Sequence, residues 1–161
     1  MRVLFGMILR LLIGTGVLMA SGVTFQSDRI SIENDQATLT TEAPEAVRAA
    51  VAAANRIAGK PYKYGGGHGT FEDDGYDCSG SVSYVLHAAG AIETPMSSAN
   101  FKEWGEPGPG KWITVFYRPG HVYLVIAGAR FDTTDHANIG PGWREKEKRT
   151  PDFTARHPAG L

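Results

Sequence analysis

The chain has 161 residues, 42% of them hydrophobic and 20% charged, with a formal net charge of −1. That length fits one globular domain with short tails, and the charge lacks the basic excess of a nucleic-acid binder. Twenty glycines and nine prolines imply many turns and exclude a helical bundle, while a single cysteine excludes an internal disulfide.

At the N-terminus, Arg2 and Arg10 flank a short apolar run, and residues 11–20 form a second one before the small residues Ser21 and Gly22. This predicts an export signal over residues 1–22, either removed or kept as a membrane anchor. Arg10 leaves neither half long enough for a secure span. The body of the protein is therefore expected outside the cytoplasm, secreted or in the cell envelope. Residues 23–43 show no sustained apolar period and are expected to be a linker, with the domain itself over 44–161.

Pro44 suits the first turn of a helix, and Glu45 follows where the dipole favours an acid. Val47, Ala50, Val51 and Ala54 recur at helical spacing until Gly59 and Pro61 stop the helix. A short extended piece, Pro61-Tyr62-Lys63-Tyr64, breaks into Gly65-Gly66-Gly67-His68-Gly69. These glycines lack the spacing of a phosphate loop and are expected to let the backbone lie close to a ligand or another segment. A second helix opens at Asp77 or Cys78, carries Val82, Val85, Leu86 and Ala89 on one stripe, and stops at Gly90. Strand signals follow over 111–117 and 121–127, the latter a nearly continuous apolar run expected of an interior strand. Arg118-Pro119-Gly120 reads as a turn and Gly140-Pro141-Gly142-Trp143 as a loop. The alternating charges of residues 145–149 read as a solvated edge.

Cys78 sits where a helix begins, so the positive end of the backbone dipole favours its thiolate. His121 opens the apolar strand and could serve as its base. Spacing alone leaves an inert, buried cysteine as an equal reading.

The ordered segments Pro61-Tyr62-(Lys63)-Tyr64-Gly65-Gly66, Asp77-Cys78-Ser79-Gly80-Ser81-Val82 and Gly120-His121-Val122 resemble the NlpC-type cell-wall cysteine peptidases over residues 44–135. The resemblance implies a papain-like α+β fold, with a helical part carrying the cysteine packed on an antiparallel sheet carrying the histidine. It implies Cys78 as nucleophile and His121 as general base, with Tyr62 donating to the oxyanion and Asp77 and Ser79 holding the free amino end of the substrate. The residues also admit plainer roles: Asp77 as a helix cap, Ser79 as a first-turn residue, Tyr62 as core. By the same resemblance the substrate is a peptidoglycan stem peptide, cut next to a γ-linked D-glutamate and a diamino acid. The protein is expected to work as a monomer without a cofactor. An inactive wall-binding protein on this fold, or a thiol-dependent acyl or amide transferase, are the alternatives.

The third, orienting residue departs from the histidine more typical of the family, and the choice lies between Asp132 and Thr133. If Gly128-Ala129 forms a two-residue hairpin loop, Val125 lies opposite Asp132, which then shares the His121 face. Moving the loop by one residue is expected to reverse that assignment. A carboxylate both fixes the imidazole tautomer and stabilises its charged form, which favours Asp132; an Asp bonded to nearby backbone is the competing reading. His68 in the glycine loop either lines the cleft or is a solvated loop residue, with the second reading favoured, and His87, His136 and His157 fall at no spacing that makes a zinc site, so no metal is expected.

Overall fold

The computed structural model describes residues 25–26 (backbone only), 28–134, 140–144 and 152–161. The export signal expected over 1–22, the charged run at 145–149 and His136 lie outside the described residues. No described helix is long and apolar enough to cross a membrane.

The segment expected to be a linker is instead a small antiparallel sheet, and this corrects the sequence reading. Strands β1 (Phe25–Gln26), β2 (Ile30–Glu33) and β3 (Gln36–Leu39) pair in that order. Asn34 and Asp35 both have positive φ, 52° and 59°, and make the two-residue turn that joins β2 to β3. Ile30 and Ile32 alternate onto one face and are fully buried. Each such burial is worth about 1.5–3 kcal/mol, which a solvated linker would forgo. Asn55 of the next helix clamps the strand, accepting from Ala37 N at 2.8 Å and donating to Ala37 O at 2.8 Å.

Helix α1 (Glu45–Ile57) follows the expected stripe, burying Val47, Ala50, Val51, Ala54 and Ile57. Helix α2 (Cys78–Ala88) is buried on nearly all sides, from Ser79 to Leu86, and packs against α1. A 3-10 turn (Ser98–Lys102) leads into the main sheet. Its strands are β4 (Glu106–Pro107), β5 (Ile113–Arg118), β6 (His121–Ile126), β7 (Ala129–Asp132), β8 (Gly142–Arg144) and β9 (Thr154–His157). They lie in the order β4-β9-β5-β6-β7-β8, with every pairing antiparallel.

Every residue of β6 is buried because both of its faces are covered. Val122, Leu124 and Ile126 join the core shared with α1 and α2, while Tyr123 and Val125 form a second cluster with Phe116, Phe153 and Ala155. Residues 142–144, expected to be part of a loop, form the edge strand β8. Trp143 is fully buried against Phe131, ring centroids 5.1 Å apart, and its indole N–H reaches Asn55 Oδ1 at 2.8 Å.

The β6–β7 loop is Ala127-Gly128, with Ile126 opposite Ala129 and Val125 opposite Arg130. That is one residue earlier than the loop expected from the sequence. The face assignment does not reverse, because moving a two-residue loop by one position changes the pairing by two and preserves parity. Asp132 therefore stays on the His121 side of β7.

Candidate active site

The glycine loop is shaped by close approach. A side chain at Gly80 would meet Gly66 O at 1.8 Å, and one at Gly66 would meet Gly75 O at 2.2 Å. The loop can thus lie directly on the start of α2, where any larger residue would push it away. Lys63 ties the loop back to Asp73 and Asp74 at 2.6 and 2.7 Å, and Tyr62 bridges to Tyr76.

Cys78 is the first residue of α2, partly buried, with its thiol free. Its N–H has no acceptor within the helix, as is general for the first turn. Asp77 is the N-cap: Oδ1 accepts from Gly80 N at 2.8 Å, and Oδ2 accepts from Gly65 N at 3.0 Å. So the carboxylate joins the helix start to the glycine loop.

His121 opens β6 directly after the Pro119-Gly120 turn, in which Gly120 takes a φ of 80°. The side chain is nearly buried, and Cys78 lies close enough to be one of the groups that raise its pKa. On its other side, His121 Nε2 lies 2.9 Å from Asp132 Oδ1. This leaves Nδ1 as the ring nitrogen available to the thiol. Thr133 is buried too, but it makes no hydrogen bond to His121 among the described residues.

Both oxygens of Asp132 are fully engaged. Oδ1 also accepts from Thr134 N at 3.1 Å, and Oδ2 accepts from Thr134 Oγ1 at 2.7 Å and from the Arg130 guanidinium. The local backbone bond and the contact to His121 are therefore made by one carboxylate, and the two sequence readings of this aspartate coexist. Burial pushes its acidity down, but the hydrogen bond and charge of His121, then Arg130 and Thr134, outweigh it and hold the carboxyl below its ordinary value.

For His121, burial alone would lower the pKa. The hydrogen bonds to Asp132 and then to Cys78, with the charges of both, reverse this and raise it from 6.5 to about 9. A protonated imidazole beside the thiol is the setting that stabilises a thiolate.

Tyr62 is 40% exposed rather than core. Burial first, then the electrostatic influence of Cys78 and Asp77, raises its hydroxyl pKa, so it remains a donor at neutral pH. Ser79 is buried within the first turn of α2.

His68 is an exposed loop residue, as expected from the sequence, but its ring is held in place. Its Nε2 lies 2.9 Å from Asp77 Oδ1 and 3.1 Å from Ser79 Oγ, and Ser79 Oγ reaches Asp77 Oδ1 at 3.2 Å. The site thus contains two His-Asp pairs, His68–Asp77 at the start of α2 and His121–Asp132 on β6 and β7. The partnership of Thr134 with Asp132 was legible in principle, since an aspartate commonly bonds the backbone two residues on. That of Arg130 carried no sequence signal.

The remaining histidines lie elsewhere: His87 stacks on Phe71 at 3.8 Å, and His157 bonds Gly108 O and Glu106 from β9. No group of three His, Cys, Asp or Glu among the described residues could hold a metal ion. A cavity of about 320 Å³ between Arg29, Lys111, Trp112 and Phe116 includes none of the residues at the thiol.

No protein-family model matches this sequence, and no curated protein does. Solved structures do match. A Staphylococcus aureus protein of the NLP/P60 family, described as similar to lipoprotein, aligns with a TM-score of 0.53 at 18% identity over 75% of this chain. The peptidoglycan hydrolase RipB of Mycobacterium tuberculosis aligns with a TM-score of 0.54 at 22% identity over 70%. This chain spans 44% of the former's length and 64% of the latter's. The NlpC/p60 domain of the peptidoglycan hydrolase SagA is covered over 98% of its length, with a TM-score of 0.50 and 24% identity over 69% of this chain. With two helices packed on an antiparallel sheet, the chain has the papain-like α+β fold of the NlpC/P60 structures.

Proposed function

We propose that this protein is an exported cysteine endopeptidase of the NlpC/P60 family, hydrolysing peptide bonds in peptidoglycan stem peptides next to D-glutamate and a diamino acid. The observation that carries the reading is the alignment of Cys78, His121 and Asp132: a thiol at a helix N-terminus, a buried imidazole against it, and a carboxylate 2.9 Å behind. Two of the structures with this fold are described as peptidoglycan hydrolases, which supports the substrate class.

In this mechanism His121 holds the proton that the Cys78 sulfur gives up. The Cys78 sulfur attacks the scissile carbonyl, and the developing oxyanion is met by the Cys78 backbone N–H and the Tyr62 hydroxyl. His121 protonates the leaving amine. It then takes a proton from water, whose oxygen attacks the thioester and frees Cys78. Asp132 holds the imidazole in one orientation throughout. In this reading Asp77 and Ser79, beside the glycine loop, would meet the substrate's amino end.

Mass spectrometry of purified wall fragments incubated with the protein tests this. New free carboxyl and amino ends within the stem, absent with Cys78→Ala, are expected. Intact fragments after incubation with folded wild type would overturn the proposal, and a new amide in place of a free acid would indicate transfer instead.

A further inference from the structure

Arg130 lies on the same face of β7 as Asp132, two residues before it, with only 11% of its side chain exposed. Its guanidinium bonds Asp132 Oδ2 and Thr134 Oγ1, the latter at 3.0 Å, and lies over the ring of Tyr123 with its central carbon 4.7 Å from the centroid. Tyr123 is itself fixed, fully buried and stacked on Phe116 at 5.1 Å. The cation is thus held between an aromatic plate and the oxygen of Asp132 that His121 does not use.

We propose that Arg130 is a positioning residue for the Cys78–His121 pair, acting through Asp132. Resting on the catalytic reading above, the inference adds a fourth member to the row Cys78, His121, Asp132. A lone carboxylate in this position could rotate and offer either oxygen, or a poorer angle, to the imidazole. With Oδ2 occupied by Arg130 and Thr134, the rotation is blocked and Oδ1 is left facing Nε2. The guanidinium also keeps the buried carboxylate charged, which an unpaired acid in this setting would resist. Its charge is offset by the Asp132 carboxylate that it pairs with, so little of it is felt directly at the thiol. The influence of Arg130 passes through where it holds Asp132.

The test reads the thiol and needs no substrate. The rate of Cys78 alkylation by iodoacetamide is followed against pH for wild type, Arg130→Met and Arg130→Lys, each checked for folding by thermal melting. Met keeps the stem over Tyr123 and removes the cation; Lys keeps the charge without the planar fork. At about pH 6.5, Arg130→Met is expected to react about tenfold more slowly, with Arg130→Lys recovering part of the loss. A merely structural arginine would lower the melting temperature and leave the pH–rate curve unchanged. A folded Arg130→Met with the wild-type curve overturns the proposal. If Arg130→Met does not fold, the lysine variant decides: a wild-type curve there overturns it as well. Because alkylation needs no wall fragment, absence of cleavage by wild type would defeat the peptidase reading and leave this result standing.

Discussion

His68 and Asp77 meet at 2.9 Å immediately before the cysteine, and the same carboxylate caps the helix that the cysteine begins. One side chain therefore joins the glycine loop to the start of α2. Asp77→Ala should cost stability as well as turnover: loss of the cap alone is worth about 1 kcal/mol, and the Gly65 bond goes with it. His68→Ala leaves the cap intact. It should move the melting temperature little and change KM more than kcat, measured on isolated stem peptides. Equal destabilisation by both variants would show that His68 belongs to the scaffold.

The pair itself should behave as one unit. Cys78→Ala and His121→Ala should each reduce turnover by on the order of 10³-fold or more, and the double variant should be hardly worse than either. Circular dichroism should show all three folded. Additive losses, or substantial turnover in Cys78→Ala, would show that the thiol is not the nucleophile.

The sign of the pH dependence follows from His121. Its folded pKa is raised from 6.5 to about 9, so its protonated form is favoured by the native state. The stability this contributes is fully present below 6.5 and is lost as the pH rises through about 9. Loss of the His121 proton leaves none to give the leaving amine, so kcat/KM should fall on an alkaline limb near that value. NMR titration of the ring checks it directly, and Cys78→Ala should shift the midpoint downward because the thiol is one of the groups that raise it. A ring that titrates below 6.5 in the wild type would contradict this account.

Much of this arrangement was legible in the residues, and where it was not the reason is physical. Both helices follow from 3.6-residue stripes with clear stops, and β6 from an unbroken apolar run. Ile30-Ser31-Ile32 and Ala37-Thr38-Leu39 also alternate, but each run is so short that composition outweighed period over residues 23–43. The turn between them, Asn34-Asp35, was the missed signal. Trp143 sits behind Gly-Pro-Gly, a strong loop signature, and becomes core only because β7 offers an edge for it to pair with. The pairing of His68 with Asp77 and of Arg130 with Asp132 depends on how loops and strands approach in space, which no periodicity encodes. The packing of the β1–β2–β3 sheet on α1 has a test of its own. Ile32→Ala should cost about 2–5 kcal/mol, and a chain beginning at Pro44 should melt far lower than the full chain. A chain from Pro44 with the full-length stability would restore the linker.

Asp132 and Thr133 are adjacent and both buried, but only Asp132 faces the imidazole, with Oδ1 2.9 Å from Nε2. Asp132→Asn keeps the shape and loses the charge that sustains the imidazolium. It also leaves the Arg130 guanidinium in a largely buried site without its anion. Turnover should drop by roughly 10²–10⁴-fold, as when an orienting carboxylate behind a catalytic histidine becomes an amide. The His121 titration should move downward in the same variant, a change that simple loss of packing would not produce. Thr133→Ala removes a buried hydroxyl from the neighbouring position and should alter kcat by no more than about threefold, since its side chain has no part in fixing the ring. Steady-state kinetics on a defined stem peptide, with the ring titration alongside, decide between them. If Thr133→Ala lost more turnover than Asp132→Asn while the titration of His121 stayed in place in the latter, the orienting role would pass to the threonine.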